Sequence, residues 1–238
     1  WNSKYALDFD TFYESYREKY KIIKHQRDVA KLDDITSIEK YKLEPNRMQV
    51  GFIKNLRKIQ EAGERKALLI SATGTGKTYA SAFAMRELGF QRVLFLVHRN
   101  QIAKQAQKSF RKVFSGQVSM GLVTGKYQEY DKDFIFATIQ TLSKEENLQR
   151  YEKTAFDAIV IDEAHHSAAN SYKKVLDYFE PKLWLGMTAT PDKRDDNLEG
   201  RNIYEIFNHQ IAYEIRLQDA MEEDLLCPFH YFGITDLD

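Results

Sequence analysis

Six short apolar runs constrain this chain more than any other feature. They read ALLIS (67–71), RVLFLV (92–97), VSMGLV (118–123), DFIFAT (133–138), DAIVID (157–162) and KLWLGMT (182–188). They are mostly apolar, without the alternation of a strand that has one wet face. Stretches with helical spacing lie between several of them, near 77–88, 100–113 and 171–179. This pattern predicts an α/β fold, with a mostly parallel sheet and helices on both of its faces. Such sheets bind ligands outside the carboxyl ends of their strands. The residues just after each run are therefore where function should lie.

The first run leads straight into Ala72-Thr73-Gly74-Thr75-Gly76-Lys77-Thr78, where a helix is predicted to begin. Strand, glycine-rich turn and helix N-terminus together make an anion site, since backbone N–H groups and the helix dipole both favour negative charge. Gly74 and Gly76 let the backbone approach phosphate oxygens that a Cβ would obstruct. In this pattern Lys77 bridges the β- and γ-phosphates of ATP and Thr78 ligates Mg²⁺. The general pattern G-x-x-x-x-G-K-[ST] would place glycine at position 71, where this chain has serine.

The fifth run ends in Asp162-Glu163-Ala164-His165-His166. An aspartate at such a strand end holds Mg²⁺ in nucleotide hydrolases, and the neighbouring glutamate suits a general base for the attacking water. Two acids and one hydroxyl are the ligand types magnesium prefers. Adjacent histidines point in different directions, which disfavours zinc, whose helical sites need ligands about a turn apart.

SATGTGKT (71–78), DEAH (162–165) and GMTATP (186–191), in that order, resemble the superfamily 2 helicases, which are nucleic-acid-dependent ATPases. The resemblance covers roughly residues 41–235. It implies a RecA-like phosphate-loop domain, the first of two motor domains. In that family the position matching Ser71 is small and need not be glycine. It implies adenine reading by Gln49, in EPNRMQ, since an amide can donate and accept together. It implies phosphate-backbone contacts from Arg99 in FLVHRNQIAKQA, from Thr124 and Gly125 in VTG, and from Thr138 and Gln140 in ATIQTL. His165, Thr188 and Thr190 would couple hydrolysis to that groove. The strand ending at Thr188 is expected between the phosphate-loop strand and the Asp162 strand. Within the superfamily, the TGTGKT loop, IYEIFNHQIAYEIRLQDAMEEDLL and PFHYFGITD (228–236) are most similar to restriction-enzyme motor subunits. That favours duplex DNA over RNA as partner, and it brings a nuclease-like domain into view as a further partner.

The second motor domain of the family supplies a Q-x-x-G-R-x-x-R motif. After Pro191 only LEGRNIYE approaches it. With Trp1 at its start, the chain reads as a fragment: a helical N-terminal extension or connector (1–40) and an ATP-binding domain (41–238). In the extension Phe9, Phe12, Tyr13, Tyr16, Tyr20 and Ile23 form an apolar stripe at near-helical spacing, and a further helix is predicted from Pro45 to Gly63. The 35 basic and 35 acidic side chains balance, so any nucleic-acid contact must come from a local patch. One cysteine, Cys227, fits a reducing compartment, and with no apolar run near ~18–20 residues the expectation is a cytoplasmic protein without a membrane partner. A transporter ATPase would need an L-S-G-G-Q-like signature between Thr78 and Asp162, which is not found. A nucleotide-gated binding module without hydrolysis stays open as the alternative, although Lys77, Thr78, Asp162 and Glu163 are all in place.

Overall fold

The structure is a computed structural model that describes residues 44–166, 169–191, 202–223, 225 and 226, together with Glu18. The expected N-terminal extension, Cys227 and the PFHYFGITD stretch lie outside the described residues. The chain divides into two compact units between Lys42 and Leu43, and the sheet and its helices belong to the second.

Helix α1 (Arg47–Glu61) opens with a reciprocal cap: the Asn46 side chain accepts from the Gln49 N–H, and the Gln49 side chain accepts from the Asn46 N–H. Its apolar face buries Met48, Phe52, Ile53 and Leu56, and Gly63, at φ 85°, turns the chain away just beyond it. Strand β1 (Lys66–Ser71) then runs into helix α2 (Lys77–Glu87). Strand β2 (Val93–Val97) leads to helix α3 (Asn100–Phe114). Strands β3 (Met120–Thr124), β4 (Tyr127–Gln128) and β5 (Phe134–Thr138) precede the short helices α4 (Ile139–Leu142) and α5 (Glu145–Leu148). Strand β6 (Ala158–Asp162), helix α6 (Asn170–Tyr178) and strand β7 (Leu183–Thr188) come next. Helix α7 (Ile203–Ile206), strand β8 (Ile211–Ile215) and helix α8 (Leu217–Glu222) complete the described elements.

The eight strands form one sheet in the order β4-β3-β5-β2-β6-β7-β1-β8. Every neighbouring pair is parallel except β3 and β4. Strand β7 lies between β1 and β6, where the family resemblance put it. The six apolar runs are strands covered on both sides. Alternate residues of β2 show why: Phe95 joins the core under α1, α2 and α3, while Leu94 and Leu96 join the opposite core with Tyr172, Val175 and Phe207. In the first core the Phe110 ring of α3 sits edge-on to Phe136 of β5, centroids 5.1 Å apart.

Two differences from the sequence reading have local causes. Strand β3 begins at Met120, not at 118, because Ser119 is locked to Asp133: its hydroxyl donates to the carboxylate at 2.6 Å and accepts from the Asp133 N–H at 2.9 Å. Strands β4 and β8 were not anticipated. Strand β8 pairs with β1, but the register slips between Leu68 and Leu69, so Leu68 faces Ile211 while Leu69 faces Tyr213. That irregularity removes the period of two by which a strand is recognised.

Candidate active site

The carboxyl ends of β1, β7 and β6 bring three sequence segments together. In the first, Gly74 and Gly76 hold φ of 93° and 88°, values that a side chain rarely tolerates. A Cβ at Gly74 would stand 2.9 Å from the Leu226 side chain, and one at Gly76 would stand 3.2 Å from Gln49 Nε2. Ser71 is fully buried, and its hydroxyl bonds that of Thr75, which also donates to the Ala72 carbonyl at 2.8 Å. The serine that replaces a glycine of the general pattern thus ties the loop across its own base. Thr73 is exposed, whereas Thr78 is half-buried in the first turn of α2.

Lys77 Nζ donates to the Ser71 carbonyl at 2.9 Å and to the Ala72 carbonyl at 3.3 Å. Burial pushes its pKa down, and the nearby charges of Glu163 and Asp162 oppose that shift. No side chain caps the N-terminus of α2, and its first turn contains no acid. Among the described residues, its leading N–H groups therefore have no side-chain acceptor, beside a half-buried cation. This arrangement fits the phosphates of a nucleotide.

Asp162 ends β6, paired in register with Met187 of β7. Burial first, and the neighbouring Glu163 charge second, raise its pKa to about 6, against the opposing pull of Lys77. The next residue turns sharply. Glu163 takes a left-handed φ of 53°, and its N–H donates to Asp162 Oδ1 at 3.1 Å. A non-glycine residue in this region stores strain, and strain of this kind gathers at functional sites. The turn separates the two acids. Asp162 is largely buried, whereas the Glu163 side chain is 41% exposed, within reach of solvent water. A buried carboxylate in the field of a lysine, beside a loop that ends in a threonine, fits Mg²⁺ held with a phosphate better than it fits an isolated charge.

His165 follows in a short 3₁₀ turn (Ala164–His166). Its Nδ1 lies 3.0 Å from Thr188 Oγ1 and 3.4 Å from Glu163 Oε2. Thr188 is fully buried and also accepts from the Thr190 N–H at 3.2 Å; Thr190 itself is exposed. The three residues expected to couple hydrolysis to the groove are thus in one bonded cluster beside Glu163.

Gln49 is 5% exposed, with both ends of its amide engaged. Its oxygen accepts from the Asn46 N–H at 3.0 Å, and its nitrogen donates to the Gly76 carbonyl at 3.4 Å. It therefore caps α1 and leans on the phosphate loop.

The residues expected to meet nucleic acid gather beyond β2, β5 and β3, which are adjacent in the sheet. Arg99, at the N-cap of α3, is exposed, as are Gly125 and Gln140. The Gln140 amide nitrogen is 2.8 Å from His98 Nδ1. Thr124 and Thr138 are buried, and the Thr138 hydroxyl donates to Thr141 at 2.9 Å. These two hydroxyls are not presented to the surface.

The sequence reading missed residues that brace the loop. Ala72 donates to the Ile215 carbonyl of β8 at 3.1 Å, and Met48, Ala72, Ile215 and Ala220 share a small core against which Leu225 and Leu226 pack. It also missed Tyr172, which lies in the second core behind the acidic turn. No helix among the described residues is long and apolar enough to cross a membrane.

A phosphate loop, an acidic strand end and a threonine–histidine contact on adjacent parallel strands define the first motor domain of a superfamily 2 helicase. Residues 42–193 match the family described as type III restriction enzyme, res subunit, and the chain belongs to that family. Among curated proteins it is 31% identical over 189 residues to IRC3 of Saccharomyces cerevisiae, provisionally named an ATP-dependent helicase, covering 72% of this chain and 26% of that protein. It is 30% identical over 179 residues to the type I restriction enzyme EcoAI endonuclease subunit of Escherichia coli, covering 70% of this chain and 21% of that protein. The chain thus spans about a quarter of the length of these relatives. The fold is shared with the type ISP restriction-modification enzyme LlaGI, solved with a DNA substrate mimic, at TM-score 0.58 and 19% identity over 77% of this chain and 21% of that one.

Proposed function

We propose that this chain is the ATP-binding half of a motor that hydrolyses ATP with Mg²⁺ to move along duplex DNA. The observation that carries the reading is Lys77, half-buried at an uncapped helix start, bonded to the Ser71 and Ala72 carbonyls and in the field of the Asp162 and Glu163 charges. In this reading Lys77 leaves the Ser71 and Ala72 carbonyls for the β- and γ-phosphates. The loop N–H groups of Thr73 to Thr78 cradle the phosphates. Thr78 and Asp162 would hold Mg²⁺, which neutralises charge on the transferred phosphoryl group. Glu163, on its exposed turn, takes the proton of the attacking water. Gln49 reads the adenine edge by exchanging its internal bonds for the base.

His165, Thr188 and Thr190 pass the state of that site toward the nucleic-acid rim. Arg99, Gly125 and Gln140 meet the phosphate backbone there, with Thr124 and Thr138 shaping the rim from beneath. Residues 41–238 are the ATP-binding domain in this reading, and 1–40 a helical N-terminal extension or connector. A second motor domain supplies the arginines that complete the γ-phosphate site. The restriction-enzyme relatives favour duplex DNA over RNA. They also favour a nuclease-like domain in the same assembly. A cytoplasmic location is part of the same proposal.

The test is ATP hydrolysis by the full-length protein that carries this chain, alone and with duplex DNA, single-stranded DNA or RNA. Duplex DNA should stimulate most. Hydrolysis that no nucleic acid alters would refute the motor reading. Stimulation by RNA alone would refute the DNA assignment.

A further inference from the structure

One buried polar group in the second core has no role in the candidate active site. Tyr172, in the first turn of α6, is fully buried, and its hydroxyl has no hydrogen-bond partner among the described residues. A phenylalanine would fill the same space without stranding a polar atom away from water. Folding alone therefore gives no account of the hydroxyl.

The surroundings of the ring suggest one. The His98 ring stands edge-on to it, centroids 6.0 Å apart at 89°. His98 directly precedes Arg99 at the end of β2, and its Nδ1 meets the Gln140 amide at 2.8 Å. On its other side, Tyr172 shares a core with Ile161 and Ala164, which flank the acidic turn. Burial and the charges of Asp162 and Glu163 both hold the phenol firmly protonated, so it is a hydrogen-bond donor at any working pH. Gln140, His98 and Tyr172 thus touch in that order, from the nucleic-acid rim into the core that also holds the residues flanking the acidic turn. This line is separate from the His165–Thr188 contact, which runs through β7.

We propose that Tyr172 is a positioning residue: when nucleic acid draws Gln140 away from His98, the Tyr172 hydroxyl becomes the donor that orients the Asp162–Glu163 turn for hydrolysis. The proposal rests on the reading of this chain as an ATP-hydrolysing motor. Gln140 exchanges an imidazole for a phosphate oxygen, the edge-on His98 ring shifts against Tyr172, and the phenol finds in a carboxylate oxygen the partner it lacks. An alignment made only with nucleic acid present gives nucleic-acid-dependent hydrolysis without a change in how ATP is held.

The experiment is ATP hydrolysis by the full-length protein with and without duplex DNA, comparing wild type with Tyr172→Phe, His98→Ala and the double variant. The ratio of stimulated to basal kcat should fall about tenfold in each single variant, with KM for ATP unchanged. The double variant should fall no further than either single one, as expected for residues acting in one line. Thermal melting separates this from a packing role: Tyr172→Phe should melt at or above the wild-type temperature. A wild-type stimulation ratio in Tyr172→Phe would overturn the proposal. So would a lowered melting temperature with stimulation intact, which would mean that the hydroxyl has a structural partner. Lys77→Ala in the same assay isolates the premise: if it hydrolyses ATP normally, the motor reading fails before the Tyr172 link is reached.

Discussion

The two halves of the sheet's carboxyl edge are built differently. Beyond β6, β7 and β1 the polar side chains are bonded among themselves. Ser71 holds Thr75, Lys77 holds two carbonyls, Asp162 holds the Glu163 N–H, and His165 holds Thr188. Beyond β2, β5 and β3 they mostly face outward, with Arg99, Gly125 and Gln140 exposed, Gln140 bonded to His98 and Thr138 to Thr141. The first half is preorganised for a compact, highly charged ligand, which lowers the cost of binding. The second is a rim of separate contacts, suited to a long polyanion gripped at many points. A single substitution should therefore be decisive in the first half and diluted in the second.

Glu163→Gln should show the largest effect, because it keeps the shape of the turn and removes the base. DNA-stimulated turnover should fall by ~10²–10⁴-fold with ATP affinity preserved, measured by steady-state hydrolysis and by nucleotide titration. Turnover at the wild-type rate would take Glu163 out of the mechanism. Lys77→Ala should weaken Mg·ATP binding by ~10²-fold, since it removes a half-buried charge placed for the phosphates. Unchanged affinity would erase the contrast between the halves at its strongest point.

Asp162→Asn should trade function for stability. Its raised pKa means that the folded chain keeps a proton the unfolded chain has lost between pH 3.8 and about 6. Stability therefore falls as pH rises through that window, and at pH 7 the whole penalty is present. Removing the charge should stabilise the protein by about 2 kcal/mol at pH 7 in chelator, while Mg²⁺-dependent nucleotide binding is lost. A destabilised variant in thermal melting would show that the carboxylate is better satisfied than its burial implies. Arg99→Ala should do least. Duplex affinity should drop by only a few-fold, with the salt dependence shallower by about one counterion. A collapse of binding in that variant would mean that the rim is as preorganised as the ATP side.

The same contrast explains what was legible in the sequence. The phosphate loop and the acidic turn each lie at one strand end, and their chemistry fixes residue types at adjacent positions, so SATGTGKT and DEAH could be read without coordinates. The six core strands were legible because burial on both faces leaves them uniformly apolar. Strand β8 was hidden by its slipped register against Leu68 and Leu69. Ser71 could be placed in the loop, but its bond to Thr75 depends on how the loop folds back. Gln49 resembles an adenine-reading glutamine, yet its place in the cap of α1 follows equally from Asn46 three residues before it. Thr124 and Thr138 looked like surface hydroxyls because strand ends give no sign of which side chain turns inward. Tyr172 is one aromatic on the buried face of an amphipathic helix, and only the absence of a partner for its hydroxyl sets it apart.

The proposed coupling is that one sheet edge binds ATP at one end and nucleic acid at the other, and that each site feels the other. It is tested most directly by the affinity of the full-length protein for duplex DNA, with and without a non-hydrolysable ATP analogue and Mg²⁺. Coupled sites require the two dissociation constants to differ by at least about fivefold, and the analogue's own affinity to change by the same factor when DNA is added. Identical DNA affinity in the presence and absence of the analogue, with both ligands bound, would contradict the account.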